Sequence, residues 1–269
     1  MHAKIIGTLI AITVLGWGFR RLERRWPATM TMPRRRWREA WTDLLHWLIT
    51  PTLTQLLAMA TVVVAAVFTM IVTGGTVRLD RIGAAGGLVR GFGHHPIALQ
   101  IVETFVIGDL IGYWVHRLFH SQRLWRLHET HHSSTRLDWF AGARNHPLQA
   151  PVVALLQAIP LILLGLNGRV VASLAPVLLL HGVLLHANVG WTFGPFRYVL
   201  SSPRFHRWHH AADEASRGKN LAGLFPVFDL LFGTYYLPLD RMPESYGTGD
   251  SAYPPGWWSQ MMRPFRLRA

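Results

Sequence analysis

Apolar residues gather into five long stretches along this chain, at residues 5–19, 44–72 (strongest from 56 on), 97–119, 152–166 and 170–189. A helix that crosses a bilayer takes about 20 consecutive, mostly apolar residues, so each is a candidate span. The fourth is short and follows Pro151. Only the Asn167-Gly168-Arg169 turn separates it from the fifth, so the two read as a helical hairpin. The first lacks the basic n-region and small-residue cleavage site of a signal peptide and reads as a retained anchor. The pattern predicts an all-α, polytopic membrane protein with four to five membrane helices. No further span follows residue 190. That last region is rich in Pro, Gly and Trp, and Trp191, Trp208, Trp257 and Trp258 suit a domain lying against lipid headgroups.

Charge then gives a direction. Only 15% of the residues are charged, against about 25% in soluble domains, yet Lys and Arg number 27 and the net charge is +13. With the connection after the first stretch on the cytoplasmic side, only Lys4, Arg78, Arg81, Arg90 and Arg169 fall outside. The other 22 basic residues fall inside, as the positive-inside rule requires. The N-terminus is then outside and the region after 190 cytoplasmic. The charge is chiefly a topology signal, to which attraction for anionic headgroups adds. No recognised nucleic-acid-binding motif accompanies the arginines, which removes that class of partner.

Histidine changes the picture most. There are 15, against 14 Asp plus Glu, and no cysteine at all, which excludes disulfides, iron–sulfur clusters, thiolate zinc sites and a cysteine nucleophile. Three boxes stand out: His116 and His120; His128, His131 and His132; His206, His209 and His210. Residues three and four apart share a helix face, so each box aims its imidazoles at one point. Eight imidazoles can hold two metal ions with about four nitrogens each. His186, at the cytoplasmic end of the last stretch, brings the number that can meet at one depth to nine. His94 and His95 fall on the outer side, and His2 and His46 read as surface or interface residues. Asp109, seven residues before His116, shares its helix face with Tyr113 and His120. A carboxylate within a span is costly and usually has a functional partner; here the expected one is a ligand imidazole whose tautomer it fixes.

The donor set narrows the chemistry. Carboxylate-bridged di-iron bundles need two Glu-x-x-His pairs, and Glu129–His132 supplies one. A metalloprotease of the H-E-x-x-H type is likewise set aside. Zinc accepts imidazole, so the ligand list alone leaves a zinc-dependent membrane enzyme open. An iron site that activates dioxygen fits a histidine-rich set better, with a substrate arriving from the bilayer. No dinucleotide or flavin motif is present, so electrons must come from a separate partner.

These residues resemble the fatty acid hydroxylase/sterol desaturase superfamily of membrane histidine-box di-iron oxygenases. Asp109 through Tyr113, Trp114, His116, Arg117 and His120 is similar to its D-x-x-x-Y-W-x-H-R-x-x-H element. Leu124 to Ser134 is similar to its second box, Arg144-Asn145-His146-Pro147 to R-x-H-P, and His186-Ala187-Asn188-Val189 to H-x-N-V. His206 to His210 is similar to its third box, and Phe228-Asp229 through Gly233-Thr234 to W-D-x-x-F-G-T. The resemblance implies membrane helices feeding a cytosolic helical cap that holds two irons. It further implies a catalytic region over 101–235, between an anchor region (1–100) and a cytosolic tail (236–269). The eight box histidines and His186 carry over as metal ligands, with Asp109, Tyr113, Asn188 and Asp229 supporting them, Asn188 at a metal-bound water or the helix end. His146 is a candidate for a metal or substrate role and His181 a weaker one. Dioxygen would be co-substrate, a ferredoxin- or cytochrome-type reductase the electron donor, and a membrane lipid (fatty acyl, sterol-like or amino-lipid) the substrate. Zinc could occupy the isolated protein. The leading activity is hydroxylation, with desaturation by the same residues as the alternative and a metal-free scaffold as the remaining class. The chain departs from the pattern at Gln149, where a glutamate is common, and at Phe228 and Leu230. Alkane hydroxylases have one more residue within the second box, which disfavours that relative.

Overall fold

The computed structural model describes residues 2–32, 34–73 and 92–266. Its elements are α1 (His2–Arg25), α2 (Trp37–Leu48), α3 (Thr50–Thr73), α4 (Ile97–Phe119), α5 (Trp125–His128), α6 (Gln149–Val153), α7 (Ile159–Leu163), α8 (Gly168–His186), α9 (Pro203–His209), α10 (Val227–Leu231) and α11 (Trp257–Met261), with short 3-10 turns between them. Among the described residues no strand forms. Two isolated antiparallel bridges form among them: Pro27 with Val189 ties the exit of α1 to the exit of α8, and Ala211 with Tyr246 ties the exit of α9 to the chain after 240.

Three stretches are long and apolar enough to cross a membrane: Trp37–Ala65, made by α2 and α3 in succession, Ile97–Phe119 and Gly168–His186. The first expected segment lies in α1, whose opening side chains are outside the described residues, as are Arg78, Arg81 and Arg90. The fourth forms a shorter apolar helix, whose far end meets the turn before α4 through the Phe92 N–H donating to the Leu164 carbonyl at 3.3 Å. Among the described residues it covers Gln149–Leu161, shorter than the other three, and it widens into a π turn at Ala154–Ala158. Pro160 has no N–H to give to an α-helical ladder; just before it, Ile159 donates instead to Ala154, five residues back.

The core has two clusters. Phe19, Trp47, Trp139, Val183, Ala187 and Val189 bind α1, α2 and α8 around the 139–143 turn. Tyr113, Leu221, Ala222 and Phe228 join α4 to the loop before α10. Trp208, expected against headgroups, is fully buried, with Tyr236 edge-on at 5.2 Å and Arg241 over its ring at 5.0 Å. Trp258 does stand exposed.

Buried charge joins α2 to the turns beneath it. Asp43, without solvent exposure, pairs with Arg35 and with the buried Arg144, and Arg35 also pairs with Asp138. Burial pushes the Asp138 carboxyl up, but Arg35 and Arg136 outweigh it and hold the group below its ordinary value.

His46 corrects a second expectation, because it is fully buried. The chain after 240 folds back over α2 and encloses it. Gln260 Nε2 donates to the Pro254 carbonyl, so Gln260 Oε1 accepts from His46 Nε2 at 3.1 Å. The other ring nitrogen accepts from Thr50 Oγ1 at 3.0 Å, and that oxygen accepts from Trp257 Nε1. Every polar atom of the inclusion is paired, as burial demands.

Replacing Asp43 leaves the buried Arg144 guanidinium without its ion-pair partner, while Arg35 keeps Asp138. Asp43→Ala is expected to cost about 3–5 kcal/mol, read as a lowered thermal midpoint of the detergent-solubilised protein. An unchanged midpoint would show that the Arg144 guanidinium finds solvent or another partner.

Candidate metal centre

The last turn of α4 presents His116, and His120 follows as its C-terminal cap. His128 ends α5, and His131 and His132 open the next 3-10 turn. His186 is the last residue of α8. The helix α9 starts at Pro203, with the Ser202 hydroxyl accepting from the Phe205 N–H, and carries His206 and His209 before His210 caps it. Ser-Pro at a helix start satisfies one free N–H and needs none at the next position. Helix ends from distant parts of the chain therefore meet.

The structure brings all nine histidines of the three boxes and position 186 together, in two groups. His116, His120, His128, His132 and His209 form one, and His131, His186, His206 and His210 the other. Within each group one ring nitrogen per residue lies within 4.8 Å of all the rest. The groups abut, with the His132 and His210 ring centres 4.4 Å apart.

Hydrogen bonds fix which nitrogen faces inward. The Nδ1 atoms of His116, His131, His186 and His209 meet the backbone carbonyls of Leu221 (2.7 Å), Arg144 (3.1 Å), Gly182 (2.7 Å) and Lys219 (2.9 Å). His128 Nδ1 meets Gln149 Oε1 at 2.9 Å, and Gln149 Nε2, donating to Asn145 Oδ1, sets that amide's orientation. A carbonyl oxygen only accepts, so each of these Nδ1 atoms carries the proton and each Nε2 presents a lone pair.

Those lone pairs then face one another. His116 Nε2 is 3.0 Å from His128 Nε2, and His206 Nε2 is 3.2 Å from His186 Nε2 and 3.0 Å from His210 Nε2. The Nε2 atoms of His120, His132 and His209 are buried without a partner. Converging acceptors in a dry interior repel, and a cation is what satisfies them. With metal–nitrogen bonds of about 2.1 Å, ligands at right angles lie about 3.0 Å apart and opposed ones about 4.2 Å. The spacing here fits imidazole coordination. Burial first, and neighbouring imidazoles second, hold His128, His131, His132, His206, His209 and His210 well below the ordinary histidine range, hence neutral and ready to ligate.

The expected supporting residues act one step further out. Asp109 meets no imidazole; its oxygens accept from the Leu224 and Phe225 N–H groups at 2.9 and 2.7 Å. Asp229 accepts from the N–H groups of Leu221 and Ala222 and from Thr234 Oγ1. Tyr113 receives Arg117 and bonds Thr234. Together they hold the loop whose Leu221 and Lys219 carbonyls orient His116 and His209. Asn188 points elsewhere, with both amide atoms on the Thr29 backbone. His146 lies outside both groups: its Nε2 meets the Met261 carbonyl at 3.0 Å and its Nδ1 accepts from Leu148 N. His181 is also outside both groups, with its Nε2 buried and without a hydrogen-bond partner. His94 and His95 are exposed and remote from the groups.

The second box also has H-E-x-x-H spacing from His128 to His132, so motif alone does not remove the metalloprotease class. Geometry argues against it. Glu129 takes Arg263 at 3.0 Å and joins neither group, so no general base stands over the histidines.

Sequence reasoning missed the orienting carbonyls, because any residue can supply one. It also missed Gly142, where a Cβ would sit 3.1 Å from His186 Cβ and Cγ, so only glycine lets the 139–143 turn lie against that ring. Gln149 was visible only as a departure from a pattern.

Fold and site together describe an all-helical protein with membrane-length apolar helices and a nitrogen-only, two-compartment histidine centre. The fatty acid hydroxylase family model matches residues 101–234. Ornithine lipid hydroxylase OlsE of Rhizobium tropici is 36% identical over 172 residues, covering 63% of this chain and 51% of that protein. Alkylglycerol monooxygenase of Homo sapiens is 32% identical over 134 residues, 49% of this chain and 30% of its own length. Methylsterol monooxygenase 1-1 of Arabidopsis thaliana is 27% identical over 151 residues, 50% of this chain and 46% of its own length. The chain spans about half the length, or less, of these relatives. No solved structure matches it. It belongs to the fatty acid hydroxylase/sterol desaturase superfamily.

Two outcomes follow from the geometry. Gln149→Leu removes the acceptor that orients His128 and should weaken metal binding about 10- to 100-fold, measured by competition with a chelator; unchanged affinity would make Gln149 a bystander. The depressed imidazoles also set a pH dependence. Unfolded histidine gains its proton near pH 6.5 while the buried rings do not, so stability is present above that pH and lost as pH falls through it. The metal-depleted protein should melt at progressively lower temperature from pH 7.5 to 5.5. A flat profile would contradict this.

Proposed function

We propose that this chain is a multi-pass integral membrane monooxygenase that hydroxylates a C–H bond of a membrane lipid. The observation that carries the reading is the pair of adjacent, nitrogen-only groups with lone pairs turned inward. His116, His120, His128, His132 and His209 would hold one iron, and His131, His186, His206 and His210 the other. Bound iron would supply the activation of dioxygen and the attack on an unactivated C–H bond.

The chain's own residues do the rest. Nine neutral imidazoles would donate without contributing negative charge, and four backbone carbonyls and the Gln149 amide keep five of the rings from turning. Phe119 stacks on His128 at 5.5 Å and Trp125 lies 5.2 Å from His132, so aromatic walls as well as burial limit water at the reacting end. Glu129, within the second box, and Asp229, just after the orienting loop, are occupied by Arg263 and by backbone N–H groups. That leaves neither free as a hydrolytic base.

The lipid class rests on the relatives, which include an ornithine lipid hydroxylase and an alkylglycerol monooxygenase. It rests also on the site's place at the ends of two membrane-length helices, α4 and α8. The uneven spread of basic residues favours a histidine site on the cytoplasmic side and an N-terminus outside. A cysteine-free chain holds no iron–sulfur relay, so a separate ferredoxin- or cytochrome-type protein brings the electrons.

Comparative lipid mass spectrometry of cells with and without the gene tests this. A lipid species gaining one oxygen is expected, and His209→Ala should abolish it. Loss of two hydrogens instead would replace hydroxylation by desaturation, and no lipid change at all would overturn the reading.

A further inference from the structure

Large apolar side chains stand exposed on two short segments that are too short to span a membrane. Phe196 (67% exposed), Tyr198 and Val199 lie on or beside the 3-10 turn Gly194–Tyr198; Val227, Leu230 and Leu231 (69% exposed) are on α10, with Phe232 just after it. The segments are neighbours. Ser201 N donates to Leu224 O at 2.8 Å, and the Tyr198 and Tyr235 rings are 5.6 Å apart.

This face runs on into the lipid-length helix α4. The Phe232 ring packs at 4.8 Å from Trp114 and 5.2 Å from Tyr113, and Trp114 is itself half exposed. Trp114 sits five residues before the end of α4, which at 1.5 Å per residue is about 7–8 Å in from that end. An amphipathic element lying in the plane of a bilayer buries its apolar face about 5–10 Å into the headgroup–acyl boundary. The depths agree.

Charge points to the same occupant. Arg197 lies over the Tyr198 ring at 4.8 Å and Arg117 over Trp114 at 5.4 Å, at the edge of the apolar face. Between residues 190 and 228 the only carboxylates are Asp213 and Glu214. Cations that ring an apolar face without acids complement anionic phospholipid. Left in water, so continuous a patch would promote aggregation.

We propose that residues 194–199 and 226–232 form a foot that inserts sideways into the membrane interface, with an anionic lipid surface as its partner. It adds a monotopic attachment to the spanning helices and fixes the depth of the loop that holds His116 and His209. It does not depend on which metal the histidines bind. It rests on α4 crossing the bilayer, and the test reads that separately.

The absence of cysteine allows single labels without background. Leu231→Cys, Phe196→Cys, Val106→Cys on the exposed side of α4 and Glu214→Cys on an exposed turn would each carry an environment-sensitive fluorophore. The full chain would be reconstituted in phosphatidylglycerol–phosphatidylethanolamine vesicles. Positions 231 and 196 should shift to shorter emission wavelength and lose more than half their intensity to a shallow nitroxide-labelled lipid. Position 214 should respond only to aqueous iodide. If 231 and 196 behave like 214, or resist both quenchers because protein covers them, the foot is overturned. If 106 also escapes the lipid quencher, the span in α4 fails with it.

Discussion

Nine imidazoles held a few ångströms apart in a largely buried site, five of them with the inward nitrogen fixed by a hydrogen bond behind the ring, are the constraint around which this structure is arranged. Such an array is repulsive and poorly solvated. It persists only because covalent and hydrogen-bonded geometry elsewhere leaves the rings no other place to point. Helix ends converge from α4, α5, α8 and α9: α4 with its cap supplies two rings, α9 with its cap three, and α5 and α8 one each, with His131 and His132 following α5. The two compartments share a wall at His132 and His210, which is why loss of one group's geometry would reach the other.

Behind the rings stands a layer of backbone carbonyls, and behind that a layer of carboxylates and arginines. Asp109 and Asp229 accept five hydrogen bonds from the loop and Thr234. Asn220, with φ at 56°, spans the Phe205 and Tyr236 carbonyls with the same amide nitrogen. Gly223 sits so close to Asp109 that a Cβ there would be 3.2 Å from its Oδ1. The Asp43 pairing with Arg35 and Arg144 plays the corresponding part for His131, because the Arg144 carbonyl is that ring's acceptor. Polar residues in the apolar half of this chain thus serve orientation at two removes.

Helix-forming stretches and the histidine boxes were legible in the sequence because both are short-range patterns. Apolar length marks a span, and three- and four-residue spacing places rings on one face. The fourth stretch is helical as its composition suggests, but the π turn ahead of Pro160 was not legible, because it depends on where each N–H finds its acceptor. Asp109 was recognised as costly where it sits, but its partner was not, since the loop it holds lies more than a hundred residues away. His46 and Trp208 were misplaced for the same reason: their neighbours come from residues 236–260, which carry no periodic signal. His146 has a motif-like setting, yet both its nitrogens are occupied by backbone, a fact only coordinates can supply.

The central claim is that two nitrogen-only compartments, preset by their hydrogen bonds, each take an ion. Its most direct measurement is X-ray absorption on protein titrated with ferrous iron in the absence of oxygen. Binding should saturate at two irons per chain, one for each histidine group, with a first coordination shell dominated by imidazole nitrogen. Saturation at a single ion, or a shell dominated by carboxylate oxygen, would contradict the account.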